Sequence, residues 1–403
     1  MNIVFFAHPH FLGSQSMPRF ANMLLTGMKA RGWNATILRP TPFASRVPAA
    51  GVIRKWLGYI DQYIVFPISV KKQMKKFPED TLFVFTDQAL GPWVTLVRRR
   101  PYVIHCHDFL AQRSAQGRIP ENPTGWLGRQ YQAFIHRGYA RGKYFISVSQ
   151  KTKEDLHAFL PAEPVRSEVI YNGLNQSFEP HEPLMARAAL SEHTGLRLGR
   201  GYLLHIGGNQ WYKNRAGVIE IYNAWRSRFG ERLPLLMIGK PPDRKLMEVH
   251  GKSRYKNDIH WIENLTDRFL PLAYAGASVF LFPSLAEGFG WPIAEAMACG
   301  CPVITTDARP MTEVAGNAAF LISVRPRNED EVSLWASEGA NAVNHLMKLA
   351  PHERRLVIKA GLSNAKRFDR EVALDRIEKV YREVLSASGT SQGIHERAVY
   401  SFD

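Results

Sequence analysis

The fold is decided by the stretch from Phe282 to Ile304, which has the sequence FPSLAEGFGWPIAEAMACGCPVI. An apolar segment typical of a buried strand ends at Phe282, and a loop containing two glycines follows it. Pro292 suits the first position of a short helix, and Gly300 suits the exit from it. The next apolar segment begins at Val303. A strand, a helix and a second strand in this order predict a crossover unit of a parallel sheet.

The loop and the helix of this stretch also carry its chemistry. Gly288 and Gly290 leave backbone N–H groups accessible at the positive end of the helix dipole, where anions bind. Glu287 lies in the loop and Glu295 lies one turn inside the helix, so their carboxylates can accept hydrogen bonds from two parts of a polyhydroxyl ligand. Another interpretation stays open, because Ser284 and Glu287 fit a capping box and Glu295 can be a solvated helix acid.

Apolar, strand-like segments alternate with helical segments along the whole chain. The strands predicted in the first half are Asn2–Ala7, Ala35–Leu38, Leu82–Phe85, Tyr102–His105, Tyr144–Val148 and Glu168–Tyr171. The strands predicted in the second half are Tyr202–Ile206, Leu235–Ile238, Ile259–Ile262, Val279–Phe282, Val303–Thr305 and Ala319–Ile322. This alternation predicts an α/β protein with two Rossmann-like, doubly wound parallel-sheet domains.

The alternation lapses once, and this lapse sets the predicted domain bounds. Pro180, Pro183 and Gly195 interrupt a region without a strong strand, which predicts a connection between domains. The predicted segments are an N-terminal domain over 1–175, a linker over 176–200, a C-terminal domain over 201–365, and a helix with a loose tail over 366–403. Two such domains create a cleft where the carboxyl ends of the strands face a ligand.

Composition narrows the class of protein. The chain has 403 residues, of which 45% are hydrophobic and 22% charged, a balance that excludes general disorder. Cys106, Cys299 and Cys301 match no disulfide framework, which favours a reducing cytoplasm. The apolar N-terminus lacks a basic leader and indicates a first strand rather than a signal peptide. No apolar run is long enough to span a bilayer.

A formal net charge of +16 indicates an anionic partner, such as a phosphate-bearing substrate, a membrane surface or nucleic acid. The segment Val52–Phe77 concentrates this charge, with six basic residues against Asp61 as its one acid. Its apolar residues recur at helical spacing up to a predicted break at Pro67. Two interpretations stay open: the helix lies on an anionic membrane, or its apolar stripe packs into a core and leaves the lysines in water.

The stretch from Glu287 to Glu295, followed by AMACGCPVI, resembles the Glu-x7-Glu signature of retaining family-4 glycosyltransferases with the GT-B fold. Further segments resemble the same family in the expected order: Val103–Asp108 (VIHCHD), Phe145–Leu156 (with ISVSQKTKEDL), Val169–Gly173 (VIYNG) and His205–Asn214 (HIGGNQWYKN). The resemblance covers most of residues 1–385 and is most specific from Tyr202 to Ile322. It implies an N-terminal acceptor-binding domain and a C-terminal domain that binds a nucleotide sugar.

The resemblance also implies roles for individual residues of the C-terminal domain. Glu295 would bind the ribose hydroxyls of the donor. Glu287 would hold the donor sugar together with the backbone of Gly288, Phe289 and Gly290. The turn at Trp291 and Pro292 would approach the diphosphate, and Lys213 would neutralise it as the leaving group.

One departure from the family concerns the second cation. Many relatives carry an arginine where Gly208, Asn209 and Gln210 stand here. Arg215 is the candidate replacement, with Asn209 as a further contact in the same loop. Gly239 and Lys240 end one predicted strand and Leu265 follows the next, so these loops are expected to border the nucleotide.

On the acceptor side, Gly13 follows the first strand and permits close approach of the diphosphate or the acceptor. His107 ends a strand that is expected to face the cleft, where it can accept or shuttle a proton or polarise the sugar near O6, as the family suggests. His8 and His10 are interpreted as loop-wall residues. His105 and His107 share a strand face, but no further ligands are spaced to complete a metal site.

The predicted function is therefore retaining, metal-independent transfer of a sugar from a nucleotide-diphosphate sugar to a glycan or lipid-linked acceptor, without a further cofactor. Cell-surface polysaccharide, including lipopolysaccharide, and lipid-linked intermediates are the family's usual acceptors. The expected location is the cytoplasm, peripheral to the inner face of the cell membrane. A nucleotide-sugar epimerase on the same fold stays open as an alternative. A nucleic-acid-binding protein is disfavoured, because only the charge supports it.

Overall fold

The computed structural model describes residues 1–13 and 16–399. The chain forms two compact units, Met1–Asn175 with Arg370–Asp403 and Gln176–Asp369. Each unit contains one six-stranded parallel sheet.

The sheet of the first unit has the order β2-β1-β3-β4-β5-β6. Its strands are β1 (Asn2–Phe6), β2 (Asn34–Leu38), β3 (Leu82–Phe85), β4 (Tyr102–Cys106), β5 (Tyr144–Ser147) and β6 (Arg166–Val169). The sheet of the second unit has the order β12-β11-β10-β7-β8-β9. Its strands are β7 (Leu203–Ile206), β8 (Leu235–Ile238), β9 (Ile259–Ile262), β10 (Val279–Phe282), β11 (Val303–Thr306) and β12 (Phe320–Ile322).

Helices connect the strands and cover the sheets. Those between the strands of the first unit are α1 (Ser16–Ala30), α2 (Gly51–Ile60), α3 (Phe66–Met74), α4 (Leu110–Ala115), α5 (Trp126–Tyr139) and α6 (Gln150–Phe159). Those of the second unit are α7 (Pro183–Thr194), α8 (Arg215–Phe229), α9 (Arg244–Lys252), α10 (Leu270–Gly276), α11 (Trp291–Ala298), α12 (Met311–Ala315), α13 (Glu329–Lys348) and α14 (Pro351–Ala365). The last helix, α15 (Arg370–Val399), returns to the first unit.

The strands are apolar on both faces because helices cover both faces of each sheet. Successive side chains of β1 show this. Phe5 packs toward Tyr381 of α15, with 6.5 Å between ring centres, and Phe6 packs against Phe66 of α3 on the opposite face, at 6.1 Å. All four residues of β10 are buried as well. The predicted fold class is confirmed, and each predicted strand is present with ends that differ by two residues at most.

The predicted linker over 176–200 is wrong in its structure, because this region contains the helix α7 and groups with the second unit. The proline and glycine that suggested an interruption are the two ends of this helix. Pro183 stands in its first turn, where a missing N–H costs nothing, and Gly195 ends it at a φ of 72°.

The predicted C-terminal segment over 366–403 also differs from the structure. A 3₁₀ turn forms Lys366–Phe368, and α15 then continues to Val399, through most of the region expected to be a loose tail. The helix is held to the first unit, where Trp33 donates its indole N–H to Glu378 over 2.8 Å.

The predicted break at Pro67 is likewise absent, because α2 runs through a π-helical turn, Asp61–Val65, directly into α3. In this wider turn the N–H of Phe66 donates to the carbonyl of Asp61, five residues back. Pro67 then falls in the first turn of α3, where proline is tolerated.

Candidate functional site

The candidate residues of the second unit lie along one edge of its sheet. The strands β9, β8, β7 and β10 are neighbours and all parallel, so their carboxyl ends share that edge. Leu265, Lys240, Lys213 and Glu287 follow these four strands in the same order. Neighbouring strands lie about 4.8 Å apart, so this row spans roughly 14 Å. The row can therefore contact several groups of one extended ligand.

Lys213 and Glu287 form an ion pair at the centre of the row. The ammonium Nζ donates to Oε1 of Glu287 over 2.7 Å, and the two side chains are only 14% and 7% exposed. The same Nζ lies 5.1 Å from the ring centre of Phe282 and 5.4 Å from that of Tyr212. The carboxylate of Glu287 and the two aromatic rings thus fix a cation beyond the end of β7. Burial at this position limits the screening of its charge by solvent.

The position of Lys213 follows from the start of α8. Asn214 adopts the left-handed conformation, at a φ of 49°, and its side chain accepts the N–H of Gly217 as the helix cap. The same side chain donates to the carbonyl of Pro283 over 2.8 Å. A backbone bond of 2.7 Å from Leu285 to the carbonyl of Tyr212 adds a second link. The loops after β7 and β10 are therefore bound together, which brings Lys213 to Glu287.

Glu295 is a buried acid in α11, 9% exposed, and not the solvated helix acid that the sequence left open. Its Oε2 accepts the hydroxyl of Tyr274, a residue of α10, over 2.8 Å. Burial raises the pKa of Tyr274 well above its ordinary value, and the nearby charge of Glu295 raises it further, so the phenol stays a donor. This contact could not be predicted from sequence, because the two residues lie on different helices.

The helix α11 begins where the glycine-rich loop ends. Gly290 is its N-cap residue, at a φ of 99° that residues with a side chain rarely adopt. The ring of Phe289 is buried against Phe368, 5.5 Å between centres, so its backbone is the part that can meet a ligand. Trp291 and Pro292 form the first turn, both half-buried. The capping box of Ser284 and Glu287 is absent, because the helix starts later.

Arg215 lies on the opposite side of the β7 loop from Glu287. Its Nη1 donates to the carbonyl of Lys240 over 2.9 Å and to the side chain of Asn209, and its guanidinium lies 5.0 Å from the ring centre of Trp261. Burial lowers its pKa to about 10, partly offset by Asp243, so it remains a cation at neutral pH. Within the described chain, its buried Nε and Nη2 have no hydrogen-bond partner.

The loops after β8 and β9 complete the row. Gly239 has a φ of 140°, and a Cβ there would lie 2.2 Å from the carbonyl oxygen of Gly207. Only glycine therefore lets the β7 and β8 loops come this close. Lys240 is exposed and Leu265 is half-buried. Under the β7 loop, burial lowers the pKa of His205 to about 3, so this ring adds no charge beside Lys213.

In the first unit, His107 directly follows β4 and is buried. Its Nε2 donates to the carbonyl of Thr86 over 3.0 Å, because a carbonyl can only accept. Burial lowers the pKa of His107, whereas the carboxylate of Asp87 and the hydrogen bond to Thr86 raise it. Burial has the larger effect, so the ring is neutral. Gly13 ends a 3₁₀ turn at a φ of 69°. Residues 14 and 15 of the same predicted loop lie outside the described residues.

Among residues 1–13 and 16–399, no group of three or more His, Cys, Asp or Glu side chains is arranged to hold a metal ion. His105, which shares a strand face with His107 in the sequence prediction, instead forms a hydrogen bond of 2.7 Å with the hydroxyl of Tyr381. None of the described helices is both long and apolar enough to cross a membrane. All three cysteines are free and buried.

Comparison with known proteins places both units in one class. Residues 17–178 match Glycosyltransferase Family 4, and residues 187–338 match Glycosyl transferases group 1. A similar curated protein is the O-antigen chain mannosyltransferase B of Escherichia coli, 24% identical over 258 residues, which cover 63% of this chain and 64% of that protein. The chain thus spans less than two thirds of the length of this relative.

Two solved structures share the fold along nearly the whole chain. A sucrose-phosphate synthase from Thermosynechococcus elongatus has a TM-score of 0.71 at 18% identity, over 96% of this chain and 100% of its own. HepE from Anabaena, in complex with UDP and glucose, has a TM-score of 0.69 at 17% identity, over 95% and 100%. With both units matched, the chain belongs to the family-4 glycosyltransferases with the GT-B fold.

Proposed function

We propose that the protein transfers a sugar from a nucleotide-diphosphate sugar to a hydroxyl of a glycan or lipid-linked acceptor, with retention of configuration and without a metal ion or further cofactor. The observation that carries the proposal is the arrangement of Lys213 and Glu287 at the carboxyl edge of the second sheet, with Glu295 in the helix that follows the Glu287 loop. It combines a fixed cation with two buried carboxylates. A diphosphate needs the cation, and sugar and ribose hydroxyls need the carboxylates.

The order of the row suggests how the donor lies. The base would contact the β8 and β9 loops near Lys240 and Leu265, and the diphosphate would reach Lys213 and the first turn of α11. The donor sugar would lie against Glu287 and the backbone of the glycine loop. Arg215 would then act on the nucleotide side of the diphosphate, because its bonds run to the β8 loop and not toward Glu287.

Charge stabilisation would supply most of the catalysis. As the acceptor oxygen bonds to the anomeric carbon, the bond from that carbon to the diphosphate breaks, and the acceptor proton moves to the departing phosphate oxygen on the same face. Negative charge therefore grows on the diphosphate, next to the ammonium of Lys213. A preorganised group aimed at such charge is typically worth about 2.7–4 kcal/mol.

His107 would act as a hydrogen-bond acceptor rather than as a proton shuttle. Its ring is neutral, and its Nε2 proton is committed to the carbonyl of Thr86. The other ring nitrogen, Nδ1, is then the acceptor. A sugar hydroxyl, such as the one on O6, is the kind of group that such a nitrogen binds.

The relatives suggest which donors to test first. The Escherichia coli relative is named a mannosyltransferase of O-antigen chains, and the HepE structure contains UDP and glucose. We therefore favour a hexose donor and an acceptor that belongs to a surface polysaccharide. GDP-mannose and UDP-glucose are the first two donors to compare.

We expect one member of a panel of nucleotide sugars to raise the unfolding temperature in the presence of EDTA. A ligand at about a hundred times its Kd stabilises by about 2.7 kcal/mol, which corresponds to roughly 5 °C or more for a unit of this size. Differential scanning fluorimetry measures the shift, and mannose and glucose without nucleotide are the controls. If no nucleotide sugar raises the unfolding temperature, the proposed donor site is wrong.

A second part of the proposal is peripheral contact with an anionic membrane through α2, the π-turn and α3. Part of the apolar stripe that the sequence predicted stays outside the core, although Tyr63 packs against it. Its exposed members recur every three or four residues, and they are Ile53, Trp56, Ile60, Ile64 and Ile68, between 38% and 65% exposed. The opposite face, with Gln62, Phe66 and Val70, is buried.

Charge and neighbouring residues extend this surface. The basic residues of the segment are all exposed, namely Arg54, Lys55, Lys71, Lys72, Lys75 and Lys76. The helix α5 packs beside it, with 5.3 Å between the ring centres of Tyr59 and Tyr131, and its first turn exposes Trp126 and Leu127. Exposed aromatic and aliphatic side chains among lysines favour an interface with anionic lipid.

Vesicle co-sedimentation tests this surface. We expect the protein to sediment with phosphatidylglycerol vesicles and much less with phosphatidylcholine vesicles. The double substitution Trp56→Ser with Ile64→Ser should lower the bound fraction at least about fivefold, because it removes two apolar anchors. Leu334→Ser with Leu356→Ser is the matched control, since these residues are 78% and 64% exposed on the other unit. Equal binding of both double variants would contradict the assignment.

A further inference from the structure

Three polar side chains meet at the carboxyl edge of the first sheet. His8 follows β1, Asp87 follows β3 and His107 follows β4. These strands are neighbours in the order β1-β3-β4 and run parallel, so their ends lie side by side. Only His107 has a role in the proposed transfer. His8 and Asp87 have no role in it.

Asp87 fixes the ring of His8. The Nε2 of His8 lies 2.9 Å from Oδ2 of Asp87, and the other carboxylate oxygen accepts the N–H of Ala89 over 2.9 Å. Both side chains are mostly buried, 16% and 11% exposed. Burial would raise the pKa of Asp87, but the hydrogen bond from His8 and the electrostatic interaction with its ring outweigh burial and lower the pKa. An ionised carboxylate therefore holds His8 with Nε2 as the donor and Nδ1 directed elsewhere.

The same short segment fixes His107. Thr86 accepts its ring N–H, as described above, and the side chain of Gln88 accepts its backbone N–H over 2.9 Å. Residues 86–88 thus orient both imidazoles, each with Nε2 committed as the donor. In the part of the chain that the structure describes, neither Nδ1 makes a hydrogen bond.

The contact between His8 and Asp87 is not needed to join the strands. The N–H and the hydroxyl of Thr86 already donate to the carbonyl of Phe6, over 3.1 and 2.9 Å. Burying a carboxylate and an imidazole costs free energy. Thr86 already joins the two loops, so the need to join them does not explain why the buried pair is present. A ligand that uses the oriented ring accounts for the pair better.

We propose that His8, oriented by Asp87, is a second hydroxyl-binding residue, which accepts a hydrogen bond from a carbohydrate whose neighbouring hydroxyl is bound by His107. This inference rests on the proposed function for the class of ligand. Two acceptor nitrogens beside a carboxylate favour hydroxyl donors and repel phosphate. The position therefore selects the uncharged, hydroxyl-bearing face of a sugar or polyol.

Ligand-observed NMR on the full chain tests this residue, with methyl α-D-mannopyranoside, methyl α-D-glucopyranoside and myo-inositol as probes. We expect at least one probe to bind, and His8→Leu to weaken its binding about tenfold. His8→Gln should restore most of the affinity, because its amide can donate to Asp87 and accept from the probe. His181→Leu, at an exposed histidine of the second unit, is the control.

Three outcomes would overturn the inference. The first is that none of the three probes binds the wild-type protein. The second is that His8→Leu binds as the wild type does. The third is that His8→Gln is as weak as His8→Leu, which indicates a purely structural contact. The nucleotide-sugar panel reports on the second unit, so failure of the proposed function is read separately from failure of this site.

Discussion

Lys213→Met is expected to lower kcat/KM for transfer by about a hundredfold to a thousandfold, with most of the loss in kcat. The ammonium is the cation that we place beside the departing diphosphate, and loss of one preorganised group of this kind has that magnitude. Methionine keeps the apolar stem that packs near Phe282 and Tyr212. Steady-state kinetics with the donor found in the nucleotide-sugar panel measure the effect.

The ion pair makes a control necessary. Removing Lys213 leaves Glu287, 7% exposed, without its described partner, and an unpaired buried charge destabilises the fold. Lys213→Met with Glu287→Gln removes both charges, so its unfolding temperature shows whether the unpaired carboxylate accounts for any stability that Lys213→Met loses. Lys252→Met, at an exposed lysine of α9, should have wild-type kinetics. Full activity of folded Lys213→Met would remove this residue from the mechanism.

Glu295→Gln is expected to raise KM for the donor about tenfold to a hundredfold with a small effect on stability. A carboxylate accepts hydrogen bonds through both oxygens, whereas an amide accepts through one, so two ribose hydroxyls cannot both be bound. Hydrogen bonds to a charged group contribute about 1.5–3 kcal/mol, which sets the magnitude. The amide oxygen can still accept from Tyr274, so the local structure should persist.

Tyr274→Phe provides the graded comparison for this effect. It removes the hydroxyl that orients Glu295 and leaves the carboxylate in place, so we expect a several-fold rise in the donor KM and no larger loss. Donor titrations at fixed acceptor concentration give both values. If Glu295→Gln has an unchanged donor KM, Glu295 is a structural acid held by Tyr274 and the ribose contact is wrong.

The fold could be predicted from the sequence because strands of a parallel sheet are buried on both faces and are therefore continuously apolar. β3, β8, β9 and β10 have the ends that the sequence predicts. The predictions of helix ends and breaks failed where one residue type is compatible with two local structures. Pro183 and Gly195 can interrupt a helix or end one, and here they end α7. The π-turn that accommodates Pro67 has no signature in sequence.

Contacts within the candidate site could be predicted from spacing only where the residues are close in sequence. The glycine loop and the start of α11 lie within one short stretch, so spacing alone places Glu287 near Gly290. The contacts of Arg215 with Trp261 and of His8 with Asp87 join residues far apart in the chain. Such partners follow from strand order, and the sequence does not encode strand order locally.

Product analysis tests the central claim most directly. The full chain is incubated with the stabilising nucleotide sugar in EDTA, with and without octyl glycosides as acceptors, and the anomeric protons are followed by NMR. We predict that the sugar moves to the acceptor hydroxyl with the configuration it had in the donor, and that the nucleoside diphosphate is released. Conversion of the donor to an epimer without acceptor, or a product of inverted configuration, would contradict the account.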